Sequence, residues 1–165
     1  MAILVAEGSD KSDIEAMKKA LTAEGAMPFL VGRHVGPFTT AGGDEMEAEF
    51  SIFTASSVLF DAVYVPGGKD AIAALKNEAQ AVEFLVDAFK HYKPIAASGA
   101  GATLLAAAGI TGAKLHPEAG PNADPQAGVV TAKSKGGSVT REFIAAIAKH
   151  RHWNRGLKPP MPMPM

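Results

Sequence analysis

The chain has 165 residues and a mass of 17.0 kDa, with 47% hydrophobic and 20% charged residues, so it can bury one domain-sized core and is neither a disordered tail nor a mini-protein. Sixteen basic against seventeen acidic side chains give a net charge of −1, without the cationic excess that phosphate-backbone binding needs, which argues against a nucleic-acid partner. Cysteine is absent, which excludes disulfides, thiolate metal sites and a Cys nucleophile.

Ala2 to Ala6 is a continuous apolar run of the kind found in strands buried on both faces. Ser12-Asp13-Ile14-Glu15 reads as a capping box, and Ile14, Met17 and Leu21 continue at helical spacing until Gly25, a natural residue to follow a helix. Met27 to Val31 supplies a second strand, completing a β-α-β unit with the usual right-handed crossover. Between Gly32 and Phe60, the turn signals Gly36-Pro37 and Gly42-Gly43 predict a small hairpin and a short helix. The α/β rhythm then resumes with a strand at Ala62–Val65, a helix over Gln80–Tyr92 and a strand at Ile95–Ala97. A helix over Ala102–Ala108, a strand over Gly128–Ala132 and a helix over Thr140–His150 follow. Short loops between alternating strands and helices predict an α/β fold, a doubly wound and mostly parallel sheet with helices on both faces.

Pro94 to Ala113 is uncharged but dominated by Ala and Gly, so it reads as a buried strand and a small-residue helix, and no membrane partner is expected. The start Ala2-Ile3-Leu4-Val5 does not resemble a signal peptide, and cytoplasmic location is the default expectation. Residues 1–155 are expected to form one domain. Residues 156–165 end in alternating Pro and Met and should be an extended tail, because proline lacks the amide proton of a helix or ladder.

In such sheets ligands sit beyond the carboxyl ends of the strands, where the strand order reverses. That rule selects the loops Glu7-Gly8-Ser9-Asp10, Pro66-Gly67-Gly68-Lys69 and Ser98-Gly99-Ala100-Gly101. Their glycines permit sharp turns, and amides at Gly67, Gly68 and Gly101 are candidate anion or oxyanion donors. The apex of the last turn, where a nucleophile would stand, is Gly99; Ser98 precedes it in the strand and fails the G-x-S-x-G pattern. Glu7 suits proton transfer at that edge, or is an exposed loop residue; His116 suits a general base, or merely begins a turn. No metal is expected, since His150 and His152 point apart at a spacing of two and His34 and His91 lack ligand partners. Trp153, among His150, Arg151, His152 and Arg155, reads either as an aromatic anchor for a partner protein or, by default, as packing on its own domain.

The segments Asp61 to Gly68, Ile95 to Leu105, Ala113 to Pro117 and Gly128 to Ala132 resemble, in order, the PfpI branch of the class I glutamine amidotransferase-like superfamily. Active members place a reactive Cys at the elbow, a Glu after the first strand and backbone donors in the Pro-Gly-Gly turn. Here the elbow is Gly99, so that thiol chemistry does not carry over. Asp61 to Pro66, Asp87 to Ala97 and His150 to Arg155 are more closely similar to the C-terminal domain of large-subunit haem catalases, which keeps the flavodoxin-like fold without the nucleophile. This resemblance implies a non-catalytic accessory domain whose partners are the catalase core, sister subunits and client proteins protected in a chaperone-like manner. Haem and peroxide chemistry would belong to the parent enzyme only. The Met-rich tail and the Met46 region are candidate apolar surfaces for clients. Two alternatives stand beside it: a thiol-free hydrolase or lyase using Glu7, Ser98 and His116, and a small-anion or nucleotide module at the Gly-rich loops.

Overall fold

A computed structural model describes residues 1–110, 128–132, 137–153 and 155. The chain runs through β1 (Ala2–Leu4), α1 (Lys11–Ala23), β2 (Phe29–Gly32), β3 (Gly36–Thr39), β4 (Glu45–Ala48) and β5 (Phe50–Ser51). It continues with a 3-10 turn (Ser57–Leu59), β6 (Val63–Val65), α2 (Lys69–Lys76), α3 (Ala79–Lys90), β7 (Ile95–Ser98), α4 (Gly101–Ala107), β8 (Val129–Ala132) and α5 (Gly137–Ala148). The main sheet has six strands, ordered β5-β2-β1-β6-β7-β8 and parallel at every pairing, while β3 and β4 form a separate antiparallel hairpin.

Alternation along the strands builds two cores. Leu4, Val31, Val63, Val65 and Ile95 face α2, α3 and α4, whereas Ile3, Val5, Leu30, Tyr64 and Val130 face α1 and α5. The direction of the chain reverses across β1 and β6, so the loops that follow these two strands flank the switch point.

The predicted strands and their order of succession are present, with differences that have local causes. Helix α1 is capped by Asp10, whose side chain accepts from the amides of Ser12 and Asp13, so Ser12 lies inside the first turn and the cap is two residues earlier than the Ser12 capping box. Helix α2, over Lys69–Lys76, occupies a segment for which the sequence reading gave only a loop. The short helix expected before Phe60 is the 3-10 turn, and the adjoining Phe50–Ser51 pairs with β2 as the edge strand β5. Pro94 to Ile110 contributes β7 and α4, and among the described residues no helix is long and apolar enough to cross a membrane. The expected tail, residues 156–165, lies outside the described residues.

Two substitutions separate the competing caps. Asp10→Ala is expected to lower the unfolding free energy by about 1 kcal/mol, and Ser12→Ala by clearly less, in urea titrations. A larger cost at Ser12 would restore the capping box.

Candidate functional site

The three loops beyond β1, β6 and β7 do converge, and they converge so closely that they bond to one another. The amide of Asp10 donates to Gly67 O at 2.8 Å, and the amide of Gly67 donates to the carboxylate of Asp13 at 2.9 Å. The hairpin closes over the first loop: Gly8 N–H donates to Thr39 O, Ala41 N–H to Ser9 O, and Thr39 N–H to the Glu7 carboxylate at 2.7 Å. At the elbow, Gly99 has φ +51° and its amide donates to Ala132 O at 2.7 Å. Of the candidate oxyanion donors Gly67, Gly68 and Gly101, the Gly67 amide is already engaged within the protein, as are the Gly99 amide at the elbow and the Glu7 carboxylate.

Glycine is required here by contact as well as by turn geometry. Gly68 has φ +123°, and a Cβ on it would stand 2.3 Å from Gly8 O; at Gly101 a Cβ would meet Val65 O at 2.7 Å. Both positions admit only a hydrogen, which lets the loop after β6 press on the loop after β1 and lets α4 start against β6.

Ser98 ends β7, is 1% exposed, and shares a 2.8 Å hydrogen bond with the phenol of Tyr64. Burial, and next the nearby Asp13 charge, push the Tyr64 phenol above its usual range, against the opposing effect of the Ser98 hydroxyl. This pair floors a groove of about 710 Å³ between α1 and α5, rimmed by Lys19, Glu24 and Arg141. The groove is mostly apolar, and its two floor hydroxyls satisfy each other.

His116 lies outside the described residues, so Glu7 and Ser98 stand here without the third member of the proposed triad. His150 is exposed, while His152 is buried with Nε2 3.0 Å from Ala146 O, so the two rings do point apart. No cluster of three potential metal ligands occurs among the described residues. Trp153 departs from its default reading: it is 68% exposed and rests only its flank on Tyr92, with ring centroids 5.1 Å apart. Met46, by contrast, packs partly against the core, so it does not offer the free apolar surface expected of it. Asp13 was missed as a site residue, because its partner Gly67 is 54 positions away and local sequence reads it only as part of a helix start.

A parallel sheet wound in this order, with glycine elbows at its switch point and helices on both faces, defines a flavodoxin-like domain of the DJ-1/ThiJ/PfpI type. Oxidised DJ-1 of Toxoplasma gondii superimposes with a TM-score of 0.77 at 18% identity, covering 95% of this chain and 93% of that one. DJ-1 of Schizosaccharomyces pombe gives 0.74 at 14% identity over 96% and 98%. At such identities the likeness is one of fold. Within that class, residues 1–157 match the C-terminal domain found in long catalases, and the chain belongs to that family. Catalase-2 of Bacillus subtilis is 33% identical over 157 residues, 94% of this chain and 21% of that protein. Catalase HPII of Mycobacterium avium is 34% identical over 160 residues, 94% of this chain and 22% of its own length. The chain thus spans about a fifth of these relatives.

Gly68→Ala is expected to cost about 2–4 kcal/mol of unfolding free energy, whereas Gly25→Ala, at φ +78° with open space around it, should cost about 1 kcal/mol. Equal costs measured by denaturant titration would show that the loops do not press together. Tyr64 supplies a pH test. Its folded-state proton is held more tightly than the unfolded chain's, so its contribution is intact below about pH 10 and is lost as the unfolded phenol ionises above it. Tyr64→Phe should therefore destabilise by about 1 kcal/mol at pH 8 and by little or nothing at pH 11; a constant difference would contradict the assignment.

Proposed function

We propose that this chain is the non-catalytic accessory domain of a large-subunit catalase, the parent carrying haem and decomposing hydrogen peroxide while this domain contributes stability and protects other proteins. The observation that carries the reading is the occupied elbow: Gly99 offers no nucleophile, and the Gly67 amide and Glu7 carboxylate are bonded internally. Family membership across residues 1–157 supports the catalase parent, and the covered fifth of the relatives is consistent with the chemistry lying elsewhere in the longer protein.

Haem does not fit at Tyr64, Tyr92 or His152. A tyrosinate or imidazole ligand must face an open apolar slot, yet Tyr64 is buried against Ser98 with its phenol held protonated, and Tyr92 lies at the surface under Trp153. His152 has its ring bonded at Ala146 O and is buried.

Protection of clients requires apolar surface in the open, and the exposed Val35 and Phe53, which follow β2 and β5, supply it. Heating a thermolabile client enzyme with an equimolar amount of this chain should reduce light scattering relative to an inert protein of equal mass. Unchanged scattering would remove the protective role. The hydrolase alternative predicts ester or carbonyl-substrate turnover that Ser98→Ala and His116→Ala abolish; the accessory reading predicts no turnover in the unaltered protein.

A further inference from the structure

The amino ends of all the parallel strands lie along one edge, opposite the glycine loops, and that edge has an unusual composition. Of the six large hydrophobic side chains exposed among the described residues, four belong to it: Met27 before β2, Val58 and Leu59 before β6, and Trp153. Trp153 is placed there because His152 N–H donates to Tyr92 O at 2.8 Å, in the turn that leads into β7. A buried and a half-buried cation brace the same edge. Lys93 Nζ donates to Ser57 O at 2.6 Å, and the Arg155 guanidinium donates to Phe89 O and Lys93 O while lying 4.5 Å from the centre of the Phe89 ring.

Backbone strain marks the same place. Tyr92 (φ +59°) and His150 (φ +63°) are the only non-glycine residues in the left-handed region among those described, and both lie within this corner. Tyr92 follows the end of α3, a position where glycine is the unstrained choice. Tyrosine there keeps a half-buried aromatic ring against the exposed Trp153 at the expense of backbone comfort, as expected where the pair serves as a binding anchor.

The course of the chain into this edge indicates what covers it. Met1 starts β1 here, its amino group donating to Met27 O at 2.8 Å. The family is the C-terminal domain of long catalases, and in Catalase-2 the matching stretch is 21% of the protein, so in such a relative the rest of the polypeptide arrives at this edge through the residue equivalent to Met1. We propose that the amino edge, anchored by Tyr92 and Trp153 and extended by Met27, Val58 and Leu59, is the surface that docks on the catalase core. This rests on the accessory-domain reading and adds the surface through which it acts.

The test is hydrogen–deuterium exchange of this chain alone and joined through Met1 to Catalase-2 of Bacillus subtilis, in place of that enzyme's own matching stretch, as the haem-loaded protein. If the fusion does not load haem, the chain is mixed instead with Catalase-2 lacking that stretch. Exchange at residues 57–60, 91–93 and 151–153 should slow by about tenfold or more on joining or mixing, while residues 67–70 and 98–101 stay unchanged. Trp153→Ala should reverse the slowing. So should Tyr92→Gly, which relieves the strained backbone and leaves the isolated chain at least as stable, so lost docking cannot be attributed to misfolding. Slowing confined to 67–70 or 98–101 would overturn the assigned surface and leave the accessory reading standing. No slowing anywhere would overturn both. Slowing of the amino edge in the isolated chain that grows with its own concentration would assign the surface to a second copy and overturn the proposal.

Discussion

A Cβ at position 68 would sit 2.3 Å from the carbonyl oxygen of Gly8, and much of the carboxyl end of the sheet follows from that contact. Because Gly68 carries only a hydrogen, the loop after β6 lies directly on the loop after β1, close enough for Asp10 N–H to reach Gly67 O and for Gly67 N–H to reach Asp13. The hairpin completes the closure by pairing Thr39 and Ala41 with Glu7, Gly8 and Ser9. In an open α/β sheet this region ordinarily holds the ligand. Here the Gly67 amide and the Glu7 carboxylate join one loop to another, and each such bond contributes about 1 kcal/mol of stability.

The two edges of the sheet are consequently opposite in character. The carboxyl edge ties the Gly67 and Gly99 amides and the Glu7 carboxylate into internal bonds, and leaves the buried Thr40 hydroxyl without a partner among the described residues. The amino edge leaves Trp153, Val58, Leu59 and Met27 exposed and holds Tyr92 and His150 in left-handed backbone conformations. Lys93 and Arg155, whose charged forms are disfavoured by burial, brace that edge through carbonyl acceptors. Four of the six large exposed hydrophobic side chains among the described residues thus lie at the edge opposite the glycine loops.

The sheet was readable because β1, β6, β7 and β8 are short apolar runs buried on both faces, a pattern that depends on local composition alone. Helix α2 was not readable: eight residues beginning directly after Gly68 look like the continuation of a Gly-rich loop, and its buried Ile72 and Leu75 are too few to establish a period. Asp10 and Ser12 are both good caps, and only the three-dimensional entry of the chain, tied by Asp10 N–H to Gly67, decides between them. The elbow at Gly99 and the loops flanking it were legible as a place. That the Gly67 amide and the Glu7 carboxylate are already bonded was not, since Gly67 and Asp13, and Glu7 and Thr39, meet across 54 and 32 residues. Exposure of Trp153 was equally hidden, because an aromatic residue among basic neighbours reads the same whether it packs inward or faces a partner.

The accessory-domain proposal implies that the elbow, with the Gly67 amide and the Glu7 carboxylate already bonded, activates no nucleophile, and placing one there tests this. Gly99→Cys would introduce the only thiol in the chain, at a position whose φ of +51° a side chain can adopt with modest strain. Its alkylation by iodoacetamide, followed from pH 4 to pH 10, reads the thiol pKa without interference from any other cysteine. The account predicts titration at or above the ordinary value of about 8.5 and no turnover of ester substrates. A thiolate already formed below about pH 6, with measurable turnover, would show that the carboxyl edge retains an active site and would contradict the account.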